Sequence, residues 1–199
     1  MTILSEFLEF NEAFVNDKQY EKYATTKFPD KRIVILTCMD TRLTELLPKA
    51  MDLKNGDAKI IKSAGAVITH PFGGIMRSLI LAVYQLQADE VYIIGHHDCG
   101  MSSIDTDIIM GNMVERGIDK NLFKTLKYSG IDLKDWLHGF SDVTESVKMS
   151  VEAVRNHPLM DNQVPVHGLV AHPDTGRLEV IVDGYKFHTE NQGNIFPGK

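Results

Sequence analysis

The stretch Thr37-Cys38-Met39-Asp40-Thr41-Arg42 places a thiol, a carboxylate and a guanidinium at alternate positions, directly after the apolar run RIVIL. Two-residue spacing puts all three side chains on one face of an extended chain. Such groups at the mouth of a strand that reads as core are costly to desolvate unless they bind something. The only other cysteine lies in GHHDCG, where His96-x-x-Cys99 forms a short chelating turn. Cys38 could supply a third donor. Two thiolates and one imidazole are a known protein ligand set of catalytic zinc, with a fourth position left for water or substrate. A structural zinc site would want four protein ligands, and with no third cysteine another histidine or a carboxylate would have to close it.

Each residue also has a plainer reading. A cysteine alone packs as a small buried hydrophobe, Asp40 could cap a helix, and Arg42 could form a surface ion pair. The metal reading gains from joint placement, because both cysteines of the chain fall at predicted strand ends. The alternative is a non-catalytic zinc-binding or redox-sensing protein with Cys38 and Cys99 as a switch, although there is no Cys-x-x-Cys motif. Arg42 can keep Asp40 ionised through charge-assisted hydrogen bonds. Beside a zinc-bound hydroxide, a carboxylate held this way can accept the proton, fix the orientation, or itself ligate the metal.

The elements that must position these groups form an α/β pattern. Residues 2–26 carry apolar positions at helical spacing (Ile3, Leu4, Phe7, Leu8, Phe10, Phe14, then Tyr20 and Tyr23), which predicts an N-terminal helical arm over 1–27, broken near Asn16-Asp17. RIVILTC, AKIIKS and EVYIIGH read as strands, with TRLTELLPKAM and GGIMRSLILAVYQLQ as the helices between them. Ile75, Leu79, Ala82, Val83 and Leu86 share one side of the second helix. Strand and helix alternating in this way predict a mostly parallel sheet with right-handed crossovers and flanking helices. Residues 105–157 read as a helical region interrupted near Gly117, Gly130 and Gly139. Two strands then follow within 163–187, joined tightly at Pro173-Asp174-Thr175-Gly176, so that the last is an antiparallel edge strand. Residues 1–199 read as a single domain with its zinc-site core at 32–104.

Composition narrows the function. The chain has 199 residues, 43% of them hydrophobic, and a net charge of −6, with no basic run. It can build a core without disulfide staples, and neither nucleic acid nor a membrane surface is an expected partner. No apolar stretch approaches the ~20 residues of a membrane helix, and the acidic N-terminus does not read as a secretory signal. The expected location is the cytoplasm.

With these residues in hand, the chain resembles the beta-class carbonic anhydrases. CMDTR, SAGAV and HHDCG occur in the family's order, after the first, second and third strands, and GGIMRSL opens the intervening helix as it does there. The resemblance covers residues 32–104 most specifically. It implies a zinc enzyme that interconverts carbon dioxide and bicarbonate, built as a homodimer or a dimer of dimers, with N-terminal helices packed across the subunit boundary. Carried over, Cys38, His96 and Cys99 bind zinc, and Asp40 and Arg42 form a catalytic dyad. In the family the counterpart of Asp40 can also swing onto zinc as a fourth ligand, giving a closed, inactive state, and Ala64 and Gly65 would line the substrate pocket. Where many members read Arg-Asn-Ala-Gly, this chain has Lys62-Ser63-Ala64-Gly65. Related enzymes on the same scaffold hydrolyse carbonyl sulfide or carbon disulfide, which is the alternative activity.

A proton must also leave such a site, and histidine is the usual carrier. His97 and His70 are the candidates by position, each weighed against a surface or hydrogen-bonded loop role. His138, His157, His167, His172 and His188 have no spacing that recommends them. Phe72 and Tyr84 are read as core residues, with pocket lining as the alternative.

Overall fold

In a computed structural model, which describes residues 1–186, five strands form one sheet. The strands are β1 (Ile33–Cys38), β2 (Ala58–Ser63), β3 (Glu90–His96), β4 (Val166–Ala171) and β5 (Leu178–Val182), in the order β2-β1-β3-β4-β5. The first four run parallel, and β5 closes the edge antiparallel to β4. The mostly parallel sheet with an antiparallel edge is therefore as the sequence pattern implied. Val34 through Cys38 are all buried, as expected for a parallel strand covered on both faces.

One face is covered by helices α3 (Gly74–Tyr84) and α7 (Val143–Arg155). Here Met76, Leu79 and Ala82 of α3, and Val147, Val151 and Val154 of α7, meet Val34, Leu36, Val91, Ile93, Val166 and Val170. Completely burying one such side chain contributes about 1.5–3 kcal/mol, so these two helices pin down β1, β3 and β4. The inward face of α3 is led by Met76, with Ile75 and Val83 only half-buried, because the helix is rotated slightly from the predicted stripe. The other face packs Ile35, Ile94, Leu169 and Ala171 against Leu43 and Leu47 of α2 (Leu43–Ala50). Pro48 lies inside α2 and Thr106–Glu115, Asn121–Tyr128 and Leu133–Leu137 form α4, α5 and α6.

The N-terminal arm is helix α1 (Ile3–Asn16) and a 3-10 turn (Gln19–Tyr23), separated at the expected break. Thr2 and Ser5 form a reciprocal cap at its start. Phe14 stacks on Tyr23 at 6.4 Å, and Asn55 donates to the Tyr23 carbonyl. Ile3, Leu4, Phe7, Leu8 and Phe10 remain 61–68% exposed in the single chain.

Candidate metal centre

From β1 the chain passes to one side of the sheet for β2, and β3 lies on the other side. This reversal opens a crevice beyond the carboxyl ends of β1 and β3, the usual ligand position in an open α/β sheet. Cys38 ends β1, His96 ends β3, and Cys99 follows after a turn. Register aligns Thr37 with Ile94, so the two strand ends arrive side by side. The structure brings Cys38, His96 and Cys99 together: one donor atom from each lies within 4.8 Å of the others, and all three residues are buried. The two Sγ atoms are 3.9 Å apart and both cysteines are free.

His96 is set up as a ligand. Its Nδ1 lies 2.8 Å from the His97 carbonyl oxygen, which can only accept, so Nδ1 carries the proton. Nε2 is left as a bare acceptor, buried and without a hydrogen-bond partner. Leaving such an atom unsatisfied costs about 1–3 kcal/mol, and a metal ion shared with the two sulfurs would satisfy it. These residues fit a metal.

Local charge sorts the two thiols. Burial pushes the Cys38 thiol up, but the His96 imidazole and the Asp40 and Gly65 backbone outweigh it and bring the thiol below its ordinary value. The Gly65 N–H donates to Cys38 Sγ at 3.3 Å. Cys99 goes the other way, raised by burial and by the neighbouring Cys38 and Asp40. For His96, burial opposes the charge, but Cys38, the His97 carbonyl and Asp40 raise its pKa.

Asp40 and Arg42 are joined at the rim. Arg42 Nε and Nη2 donate to the two Asp40 oxygens at 3.1 and 2.9 Å, and the Arg42 backbone N–H donates to Oδ1 at 2.9 Å. Hydrogen bonding from Arg42 holds the Asp40 carboxyl down to about 2. Asp40 Oδ2 is 3.7 Å from His96 Nε2, at the edge of the donor set. Sequence reasoning missed Asp98, whose carboxylate and carbonyl oxygen each accept from Arg42 at 2.8 Å. Arg42 thus braces the loop after β1 to the loop after β3. The signal was present, since Asp98 lies within the His-x-x-Cys turn, at a φ of 50°.

Gly65 is buried at a φ of 67°, behind Cys38. A Cβ there would meet Met101 Cγ and Phe140 Cε1 at 2.9 Å. Met101 and Phe140 were also missed, because nothing local in the sequence links residue 140 to residue 65. Gly139 presses so closely on the Met101 carbonyl that a Cβ would lie 1.7 Å from its oxygen, and Phe140 N–H donates to that oxygen at 3.2 Å. Ala64 lines an apolar cleft of about 900 Å³ beyond these side chains.

Other expectations fare differently. His97 turns toward Glu179 (Nε2 to Oε2, 4.0 Å) and His172 (ring centroids 6.2 Å apart), and His70 accepts the Phe72 N–H at 3.0 Å. Phe72 and Tyr84 are exposed rather than core: Phe72 sits edge-on to His157, and Tyr84 lines a cavity with Asp89 and Pro165 near the amino end of β3. Aromatic type alone misplaced them. His188 lies outside the described residues.

Comparison with known proteins agrees with this layout. The family model for carbonic anhydrase matches residues 33–178. YvdA of Bacillus subtilis, provisionally named a carbonic anhydrase, is 56% identical over 94% of each chain. A carbon disulfide hydrolase of Acidithiobacillus thiooxidans is 32% identical, over 75% of this chain and 76% of that one. The crystal structure of beta-carbonic anhydrase isoform I from Trichomonas vaginalis superposes with a TM-score of 0.85 at 36% identity, over 93% of this chain and 100% of that one.

Proposed function

The chain belongs to the beta-class carbonic anhydrase family, and from that premise we propose that it catalyses the reversible hydration of carbon dioxide to bicarbonate and a proton. The observation that carries this reading is the buried, unpartnered His96 Nε2 facing two sulfurs, with an ionised carboxylate at the rim. Cys38, His96 and Cys99 would hold zinc. The two Sγ atoms, 3.9 Å apart, are close enough for both to bind one ion. Zinc held there supplies the Lewis acidity that makes water nucleophilic near neutral pH.

The chain's own residues do the rest. Gly65 N–H and the His97 carbonyl orient one thiolate and the imidazole, the outer-shell support that ligands need. Asp40 is acceptor-only at every physiological pH, so it can take a hydrogen bond from attacking water and fix its direction. Arg42, clamped between Asp40 and Asp98, keeps that carboxylate charged and in place. An arginine held by two carboxylates has little freedom to swing away, so the dyad is preorganised.

A second reading, hydrolysis of carbonyl sulfide or carbon disulfide, is favoured by the similarity to a carbon disulfide hydrolase and by the apolar cleft beside Gly65. We also assign a homodimer or dimer of dimers, because the exposed apolar face of α1 needs a cover and a second copy would supply one. The test is stopped-flow hydration of carbon dioxide on protein of known zinc content, beside Cys38→Ala and His96→Ala. About one zinc per chain with fast hydration, both lost in the variants, is the expected result. Full zinc without hydration of carbon dioxide but with release of hydrogen sulfide from carbonyl sulfide would shift the function to the second reading. Absence of zinc after metal-replete preparation would overturn both.

A further inference from the structure

The donor set has two sides of opposite character. On one side Asp40, Arg42 and Asp98 form a charged rim. On the other, Met101 and Phe140 each have two contacts: they pack against the cluster that includes Cys38 and Cys99, and they line the apolar cleft. Gly65 lies between them and Cys38, and lacks a side chain where one would collide with both. The cleft is walled further by Met39, Ile68, Ile104 and Trp136. At about 900 Å³ it is far too large to select among triatomic molecules, so any selection must occur where it narrows.

We propose that Met101 and Phe140 form a septum between the apolar cleft and the metal centre, and that its size sets which linear, neutral triatomic reaches the metal: carbon dioxide, carbonyl sulfide or carbon disulfide. The inference rests on the functional reading above, that such a molecule is attacked by water at the Cys38–His96–Cys99 site. The three candidates differ by replacement of oxygen with the larger sulfur, while charge and linearity stay the same. They also differ in polarity and in the electrophilicity of carbon, but a narrow apolar passage reads their size, and packing differences of this size alter kcat/KM by about tenfold or more. The charged rim is built from Asp40, Arg42 and Asp98 and includes neither septum residue. Met101 suits such a position because its thioether is flexible. The Phe140 backbone N–H donates to the Met101 carbonyl and Gly139 approaches it closely, so the two residues are held side by side at the backbone.

The experiment uses zinc-loaded, full-length protein in four forms: wild type, Phe140→Ala, Met101→Ala and the gentler Phe140→Leu. Kinetics are measured on carbon dioxide and on carbon disulfide, which with two waters gives carbon dioxide and two hydrogen sulfides. The alanine variants should raise the carbon disulfide to carbon dioxide ratio of kcat/KM about tenfold, and Phe140→Leu by less. The change should appear in KM, with the pH profile of kcat unmoved. A second readout needs no turnover: methyl and benzyl methanethiosulfonate are each attacked by a cysteine thiolate, forming a mixed disulfide and expelling methanesulfinate. Zinc release and protein mass follow the reaction. The benzyl-to-methyl rate ratio should also rise about tenfold in the alanine variants. Folded variants with both ratios unchanged overturn the septum. Wild-type protein that turns over neither substrate overturns the functional reading instead, and the reagent ratio then distinguishes that failure from failure of the septum.

Discussion

Gly65→Ala tests the coupling of backbone, septum and metal centre in one substitution. The residue sits in left-handed conformation, which costs an alanine about 1–2 kcal/mol. The new methyl would also lie 2.9 Å from Met101 Cγ and Phe140 Cε1 and 3.2 Å from Met101 Cβ, closer than carbon atoms approach. Relieving such overpacking costs about 1–3 kcal/mol more, for a total of about 2–5 kcal/mol. In a domain of this size each kcal/mol lowers Tm by about 2–4 °C, so the variant should melt about 4–20 °C lower. Thermal and urea denaturation, read by circular dichroism at matched zinc content, measure it. Ala66→Gly is the control, since Ala66 shares the left-handed backbone at a φ of 58°. Removing its methyl relieves about as much strain as it loses in burial, and its Tm should stay near wild type. A Gly65→Ala Tm within about 1 °C of wild type would refute the reasoning, because neither strain nor contact would then be real.

Three further outcomes follow from the site and the arm. Arg42→Lys removes the bidentate fork and the tie to Asp98. It should lower kcat/KM for carbon dioxide about 10- to 100-fold while zinc content stays near one per chain; activity within twofold of wild type would remove the dyad from the mechanism. The same change has a pH sign. With a folded pKa of about 2, Asp40 contributes its charged contacts above the ordinary carboxylate range, and they are lost as pH falls through about 2. In Arg42→Lys that loss should move to higher pH, seen in carboxylate carbon-13 shifts; an unmoved titration would contradict the assigned cause. On the arm, Phe7→Glu combined with Leu8→Glu should dissociate the assembly, read by light scattering after gel filtration. An unchanged mass would mean that a second copy does not cover that face.

The sequence disclosed what repeats locally. Continuous apolar runs marked the parallel strands, and helical spacing marked the arm and the α3 position. The three candidate metal donors were legible because two lie in one short turn and the third ends a strand of the same kind. Asp98 escaped because an exposed acid in a loop has many uses, and only the arrival of Arg42 from another strand gives it one. Met101 and Phe140 escaped for a different reason: they meet across the intervening helices α4, α5 and α6, whose own periodicity says nothing about Gly65. Phe72 and Tyr84 show the converse error, in which large aromatics were assigned inward although their helix and loop positions face out.

The reversal of strand order about β1, with β2 on one side and β3 on the other, also bears on the order of events during folding. Cys38 and Cys99 are 61 residues apart, and the donors meet only when β1 and β3 lie side by side. No fragment ending before β3 can chelate through all three. Metal uptake by the nascent or refolding chain should therefore be a late clock, ticking only once the central pair of strands has joined. An ion held from both ends would then work as a removable cross-link closing that long loop, so chelators should speed unfolding more than they slow refolding.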